Sequence, residues 1–201
     1  MTVSQKSINS ISKGQFSDRG SKFYAFLHPM NNLDSYKNLI RIYKEENHNA
    51  CHVCSAYRLY LNGWVDEHAT DDGEPKGSSG LPILNMLKRH HLVNAAIYVV
   101  RIYGGVNLGI PGLIQAYSTS ALRCIEAGVV FDWKPIFQFS IKYSYDLEKI
   151  ILAIVKSVDG NILKQEFNEE IIADIEVNED IKDDFATLLH EKTSGKVSIL
   201  K

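Results

Sequence analysis

The sequence has few cysteines and no long apolar run. An odd set of 3 cysteines in 201 residues argues against a disulfide framework and indicates a reducing, cytoplasmic compartment. No apolar run approaches the ~20 residues that a membrane-spanning helix needs, so we expect no membrane partner. Residues 1–14 are polar, without the apolar segment of a secretory signal, so we expect no export.

The chain also has no strong excess of positive or negative charge, since its formal net charge is −2. The charge is nevertheless unevenly distributed. Residues 1–134 carry 14 Lys/Arg and 11 Asp/Glu, whereas residues 135–201 carry 8 and 13. With 45% hydrophobic residues the chain can bury a substantial core. We therefore predict two modules, residues 1–134 and 135–201, and the sequence carries no signal for an oligomeric state.

The first module contains strand and helix patterns with clear boundaries. The apolar segment that ends at Arg101 has no polar alternation, as expected of a strand covered on both faces. The predicted elements are a strand over Phe23–Leu27, a helix over Leu33–Glu46, strands His52–Leu61 and Trp64–Ala69 that turn at Asn62-Gly63, and a strand over Ala95–Arg101.

The strand that begins at His52 presents chemically useful side chains on one face. Because successive residues of a strand point to opposite faces, His52, Cys54 and Arg58 share a face. Cys51 and Cys54 form a C-x-x-C, but their odd offset sends them to opposite faces. A redox pair or a zinc site is therefore not expected here.

Two glycine-rich turns each precede a helix. The first has three carboxylates, Asp71, Asp72 and Glu74, followed by Gly77, Ser78, Ser79, Gly80 and a helix up to about His90, with Pro82 in its first turn and Ser79 as N-cap. The second runs from Arg101 through Gly104, Gly105 and Gly109 to a helix over residues 113–127. Both are candidate anion-binding helix N-termini. The alternative is that they are ordinary helix starts without a ligand.

The second module follows a predicted linker at residues 131–135. Its pattern is strand 136–143, helix 146–156, strands 160–167 and 171–177, helix 181–191 and strand 196–200. This βαββαβ order is typical of the ferredoxin-like arrangement.

Several of these segments resemble the Impact/YigZ family. Residues 71–84 resemble its signature Asp-Asp-Gly-Glu-Pro-x-Gly-x-x-Gly-x-Pro-Ile-Leu, and residues 52–58 its His-x-Cys-x-Ala-Tyr-Arg strand. Residues 100–109 resemble its Thr-Arg-Tyr-Phe-Gly-Gly-Ile-x-Leu-Gly loop, and residues 19–23 its entry segment. The matching blocks extend over residues 17–127, and the tail resembles the small C-terminal domain of bacterial members by pattern.

The resemblance implies an α+β fold with two domains. The N-terminal α/β sandwich is expected to be similar to the second domain of a small-subunit ribosomal protein and to domain four of elongation factor G. The C-terminal domain is expected to be similar to domain five of that factor. Eukaryotic relatives restrain an amino-acid-starvation kinase through a separate N-terminal domain, and the family implies no established enzymatic activity.

Two functions are compatible with these residues. The first is a cytoplasmic translation-associated regulator that binds RNA, the ribosome or a translation factor, with arginine and lysine side chains meeting phosphates and Tyr57, Tyr103 or Tyr117 stacking on bases. It needs no cofactor. The alternative is an enzyme acting on a phosphorylated small molecule or nucleotide, in which the carboxylates hold Mg²⁺ and His52 or His68 acts as general base.

Either function requires that the two turns and the histidine-bearing strand meet in one cleft. The predicted cleft residues are Arg19, Lys22, His52, Cys54, Arg58, Asp71, Asp72, Glu74, Gly77, Ser78, Ser79, Gly80, Arg101, Gly104, Gly105 and Gly109.

Overall fold

The structure is a computed structural model, and it describes residues 4–200. The chain consists of two compact units, of which the first ends at Trp133 and the second begins at Lys134. Both units combine helices with antiparallel sheets, so the predicted α+β class is confirmed. Within residues 4–200, none of the helices is both long and apolar enough to cross a lipid bilayer.

The first unit is built around a five-stranded sheet with the strand order β2-β3-β6-β4-β5, in which every neighbouring pair is antiparallel. A separate pair, β1 with β7, joins the start of the unit to its end. The elements are β1 (Gln5–Ile8), β2 (Ser12–Asp18), β3 (Ser21–Pro29), α1 (Leu33–Glu46), β4 (His52–Leu61), β5 (Trp64–Thr70), α2 (Gly80–Arg89), β6 (Ala95–Ile102), α3 (Gly109–Glu126) and β7 (Val130–Trp133).

Helices cover both faces of this sheet. Helix α1 packs on one face through a cluster that includes Tyr36, Tyr43 and Tyr98. Helices α2 and α3 pack on the other face, where Cys54, Ile97 and other apolar side chains form the larger core. Residues 95–100 of the central strand β6 are fully buried, because both layers cover them. The strand that the sequence predicts as covered on both faces is therefore confirmed.

The strongest local signals located their elements well. Strand β4 and helix α1 have the predicted bounds, and Asn32 caps α1 by accepting a hydrogen bond from the Ser35 N–H at 2.8 Å. The β4–β5 hairpin turns at Asn62 and Gly63, whose φ angles of 46° and 97° belong to the left-handed region that such turns require.

Three strands of the first unit were missed. Strands β1 and β2 lie in the polar start of the chain and have little apolar alternation. Residues 131–133 were predicted as part of a linker, which is wrong, because Val130–Trp133 pairs with β1. Strands β1 and β7 gain their hydrogen bonds from each other across the length of the unit, whereas β2 pairs with the adjacent strand β3 but has few apolar residues to reveal it.

The second unit has a four-stranded antiparallel sheet with two helices that pack together with it around one core. Its elements are β8 (Ile136–Tyr143), α4 (Glu148–Ser157), β9 (Asn161–Phe167), β10 (Ile171–Asn178), α5 (Lys182–Thr193) and β11 (Ser198–Ile199), and a 3₁₀ turn precedes each helix. The strand order is β11-β8-β10-β9. The predicted βαββαβ order of elements is present, while the similarity of either unit to a ribosomal or elongation-factor domain stays a prediction.

Candidate functional site

The start of α2 is occupied by the chain's own carboxylate. Asp71 accepts hydrogen bonds from the backbone N–H groups of Gly77, Ser79 and Gly80 at 2.7, 3.1 and 2.8 Å. The Ser79 hydroxyl donates to the same carboxylate at 2.7 Å. Burial alone would raise the pKa of Asp71, but these hydrogen bonds outweigh it and hold the pKa below its usual value. Asp71 thus fills the anion site predicted here, and Ser79 does not cap the helix with its hydroxyl.

Asp72 connects the same loop to strand β4 through hydrogen bonds. Its carboxylate accepts from the Val53 N–H at 2.7 Å and from Lys44 Nζ at 2.5 Å. Its carbonyl oxygen lies 2.7 Å from His52 Nδ1. A carbonyl can only accept, so Nδ1 carries a proton and the ring orientation is fixed.

Glu74 turns inward to a buried arginine. Its Oε1 accepts from Arg101 Nη1 at 2.6 Å and from the Tyr117 hydroxyl at 2.8 Å. The two charged side chains are only 3% and 7% exposed. Burial lowers the pKa of Arg101, but the hydrogen bond and charge of Glu74 raise it by more, so the guanidinium stays charged. This pair links the first glycine-rich loop to strand β6 and helix α3.

The three carboxylates therefore do not share a site. Asp71 serves the start of α2, Asp72 serves β4, and Glu74 serves Arg101. No group of three or more potential metal-ligating side chains occurs within residues 4–200. The geometry offers Mg²⁺ no cluster of oxygen ligands of the kind that the enzyme hypothesis requires.

The start of α3 differs from that of α2, because Asp71 accepts hydrogen bonds from the backbone N–H groups at α2, whereas at α3 no side chain of the described residues does so. Gly109 has a φ of +70°, a conformation that favours glycine. The exposed Arg19 approaches this turn, since a Cβ placed on Gly112 would lie 3.6 Å from Arg19 Nη2. The positive end of a helix and a cation thus lie side by side.

Close packing of two glycines holds Arg19 in this position. Arg19 and Gly20 form the turn between β2 and β3, with φ angles of 44° and 81°. A Cβ on Gly104 would lie 2.0 Å from the carbonyl carbon of Gly20, so only glycine fits there. The Gly104 N–H also donates to Ser21 Oγ at 3.1 Å. The second glycine-rich loop is therefore tied to the hairpin that carries Arg19.

A cleft of about 510 Å³ opens between the loops. That volume is within the range of small-molecule sites, roughly 300–1,000 Å³. Its polar lining includes His52, Glu74 and Arg101, and Tyr103 lies over the Arg101 guanidinium at 5.5 Å. The lining residues are Cys51, His52, Glu74, Pro75, Arg101, Tyr103, Asn107, Leu108, Gly109, Ile110 and Leu113.

Several predicted residues lie elsewhere. Arg58 is six residues from His52 along β4, about 20 Å at strand spacing, and it pairs with Glu67 at 2.9 Å. The expectation that Arg58 converges with His52 was therefore wrong. Lys22 alternates with the core residue Phe23, which places it on the α1 face of the sheet.

Other predicted residues support the site from inside. The Cys54 thiol donates to the Asp71 carbonyl at 3.1 Å and lies 3.2 Å from the Tyr117 hydroxyl, and burial raises its pKa to about 12. Ser78 is fully buried and donates to the Pro75 carbonyl. Gly80 lies against Thr70, and Gly105 adopts a φ of +85° in the second loop.

Sequence reasoning placed the start of α3 too late and so missed its first turn. The missed cleft residues are Cys51, Pro75, Asn107, Leu108, Ile110 and Leu113. A usable signal was present, because Gly109-Ile110-Pro111 repeats the glycine–apolar–proline order of Gly80-Leu81-Pro82.

Comparison with known proteins decides the family. The family model for the Impact N-terminal domain matches residues 19–125, which include the whole cleft. The chain belongs to the Impact family. This confirms the resemblance to the Impact/YigZ family that the sequence motifs indicated.

Curated Impact family members match most of the chain. The family member YvyE of Bacillus subtilis (strain 168) is 32% identical over 182 residues, which cover 89% of this chain and 82% of YvyE. The member YigZ of Escherichia coli (strain K12) is 24% identical over 184 residues, covering 90% and 89%. A crystal structure described as that of a hypothetical protein shares the fold, with a TM-score of 0.65, 21% identity, and coverage of 100% and 98%.

Proposed function

We propose that this Impact family member is a cytoplasmic, translation-related regulator whose first unit binds RNA, either free or in the ribosome. A translation factor bound at the same surface is the other form of this proposal. The observation that carries it is that Arg101 and the uncapped start of α3 line one cleft, while Arg19 lies against Gly112 in the first turn of the same helix. In nucleic acids, arginine side chains and helix N-termini bind the phosphate groups of the backbone.

The charge distribution supports a nucleic-acid partner for the first unit only. Residues 1–134 carry a net charge of +3, whereas residues 135–201 carry −5. Arginine and lysine contacts to phosphates supply most of the affinity in sequence-independent binding. The second unit is therefore not proposed as an RNA contact.

An aromatic side chain is available for stacking beside these cations. Tyr103 is 47% exposed and lines the cleft. Tyr57 and Tyr117, which the sequence also suggested, are core residues. Stacking of an unpaired base on an exposed ring is common in single-strand recognition. Of the three tyrosines, we therefore propose only Tyr103 as the residue that stacks on a base.

The test is affinity purification of the full chain from cells, with and without RNase. If the proposal holds, ribosomes or RNA co-purify, and RNase or added salt removes them. Protein partners that persist after RNase would identify a translation factor as the target instead. A chain that retains neither RNA, ribosomes nor translation factors at low salt would refute the proposal.

A substitution pair tests the surface itself. Arg19→Gln removes one cation beside the cleft, whereas Arg41→Gln removes an exposed cation on α1, on the opposite face of the sheet. We expect Arg19→Gln to reduce the slope of log affinity against log salt by about 0.7, the value for one lost single-strand phosphate contact. Arg41→Gln should leave the slope unchanged. Equal salt-dependence slopes for the two variants would show that this surface does not contact RNA phosphates.

A further inference from the structure

We propose that the first turn of α3, Arg19 and Arg101 together form a binding site for one nucleotide phosphate, with the base placed against Tyr103. This inference deepens the proposed function and rests on it for the source of the phosphate, which is RNA. A free mononucleotide has the same chemistry, and the experiment distinguishes the two sources.

Arg101 is a buried cation whose hydrogen bonding is incomplete. Its side chain is 7% exposed and lines the cleft. Nη1 donates to Glu74, but Nε is buried and has no acceptor anywhere in residues 4–200. A buried donor without a partner is costly, and native structures rarely retain one. Arg101 lines the cleft, but Nε itself has almost no accessible surface, so an acceptor oxygen in the cleft would become its partner only after a small rotation of the guanidinium.

The start of α3 adds unpaired donors and more positive charge. The first turn of an α-helix has backbone N–H groups without intrahelical partners, and here no side chain caps them. Arg19 lies over the same turn, although a cation near a helix N-terminus is unfavourable by itself. Its own carboxylate neighbour, Asp18, is 3.7 Å away, at the limit of an ion pair. A bound anion would accept hydrogen bonds from the unpaired N–H groups and would offset the unfavourable charge of Arg19 beside the helix N-terminus.

Helix α2 shows what this type of helix start does when an anion is present. Gly80-Leu81-Pro82 begins α2 as Gly109-Ile110-Pro111 begins α3. At α2, three backbone N–H groups and one hydroxyl converge on the Asp71 carboxylate. At α3 no equivalent side chain is provided by the described residues. The backbones of the two starts differ, since Gly109 has a φ of +70° and Gly80 has no positive φ, but at α3 the N–H groups of the first turn are left to a ligand.

The charge balance specifies the kind of phosphate. Glu74 offsets the charge of Arg101 and Asp18 lies 3.7 Å from Arg19, so the site has only a small net positive charge, of which the helix end contributes about half a unit. A phosphodiester carries one negative charge, whereas a free phosphate monoester carries nearly two at pH 7. The site thus fits an internal RNA phosphate better than a terminal one. Tyr103, which lies over Arg101, offers a ring face to the attached base.

Ile110→Asp provides the sharpest test, because it places a carboxylate where the phosphate is proposed to bind. Ile110 is 54% exposed and lines the cleft, so the substitution alters little packing. Binding of inorganic phosphate, AMP and a single-stranded RNA oligonucleotide would be measured by calorimetry at low salt with the full chain. We expect the dissociation constants to rise at least tenfold in Ile110→Asp. The matched control is Leu81→Asp, which lies outside the cleft lining and for which we expect less than a twofold change.

The outcomes separate the site from the function. Two results together support both the site and the RNA function. RNA binding weakens in Ile110→Asp, and the wild type binds phosphate or AMP whereas the same variant does not. A different result is that the wild type binds phosphate or AMP but no RNA, and that Ile110→Asp loses this binding. That result supports the site, assigns it to a free nucleotide and refutes the RNA function.

RNA binding that is equal in wild type and Ile110→Asp overturns the site while the proposed function survives. Failure of the wild type to bind any of the three probes overturns the site as well. Thermal unfolding of each variant shows that it is folded, and we expect Ile110→Asp to be no less stable than the wild type because its new carboxylate is at the positive end of α3.

Discussion

Helices α2 and α3 begin with the same local sequence order but have opposite electrostatic surroundings. Each start has a glycine, then a half-exposed aliphatic residue, then a proline. Leu81 and Ile110, the second residues of the two helices, are 49% and 54% exposed. At α2 the backbone donors bind Asp71, whereas the first residues of α3 line a cleft and Gly112 in its first turn lies close to Arg19.

The difference shows that a glycine-rich helix start becomes a candidate ligand site only when its own chain does not fill it. The segment with the stronger family signature, residues 71–84, has a structural role: its carboxylates hold the loop against α2, β4 and Arg101. The loop after β6 leaves its donors available. The first loop therefore forms part of the cleft wall, and the second supplies the groups that we propose bind the phosphate.

The largest expected effect concerns the ion pair that joins the two loops. Glu74→Ala would leave Arg101 buried without its counter-charge, so we expect the free energy of unfolding of the first unit to fall by about 3–5 kcal/mol. Urea unfolding followed by tryptophan fluorescence measures this, since Trp64 and Trp133 both lie in that unit.

Glu67→Ala is the matched control. Glu67 pairs with Arg58 and Lys88 but is 26% exposed, so we expect a loss of about 1 kcal/mol. Equal losses in the two variants would mean that the Glu74–Arg101 pair does not join the loops energetically.

The next effect concerns the filled helix start. Asp71→Asn keeps the side-chain shape but removes the charge that accepts three backbone N–H bonds, so we expect a loss of about 2 kcal/mol at pH 7. The folded state lowers the pKa of Asp71, so this contribution is complete above the unfolded-state pKa and disappears as pH falls through the folded-state pKa.

The difference between wild type and Asp71→Asn should therefore shrink below about pH 4, near the unfolded-state pKa of an aspartate. Asp34→Asn, in the first turn of α1, is the control, because Asn32 already caps that helix. We expect it to cost about 0.3–0.5 kcal/mol. A pH-independent loss in Asp71→Asn would show that the charge is not what matters.

The smallest effect compares the two helix starts directly. Ile110→Asp places a carboxylate at an uncapped helix N-terminus, so we expect stability to rise by about 0.5 kcal/mol at low salt. Leu81→Asp places one beside Asp71, so we expect stability to fall by about 0.5–1 kcal/mol through like-charge repulsion. The same urea titration measures both. Shifts of the same sign would contradict the assigned difference between α2 and α3.

The parts of the fold that the sequence predicted have strong local patterns. The alternation of β4, the Asn62-Gly63 turn and the uninterrupted apolar β6 located three neighbouring strands of the sheet. Strands β1 and β2 were missed because they are polar and depend on their partners, and the short strand β7 was missed because its pairing with β1 spans the whole unit. The α+β class was implied by the family resemblance.

The composition of the candidate site was predicted only in part, and its geometry was not predicted. His52, Glu74, Arg101 and Gly109 do line one cleft. The role of Asp71 was not foreseen, because an acidic residue beside a helix start is equally compatible with a metal ligand and with a cap. Arg58 shares the strand face of His52, but strand periodicity gives the face of a side chain and not its distance from another.

The sequence by itself determined which residues could bind an anion, since glycine, proline and arginine have fixed conformational and charge properties wherever they occur. Tertiary structure alone decided which helix start is filled and which is open. That choice depends on contacts across the fold: Asp71 reaches back over its own loop, and the packing of Gly20 against Gly104 brings Arg19 to α3. Hydrogen bonds and charge pairs act over a few ångströms, so they appear only once the chain has brought these residues together.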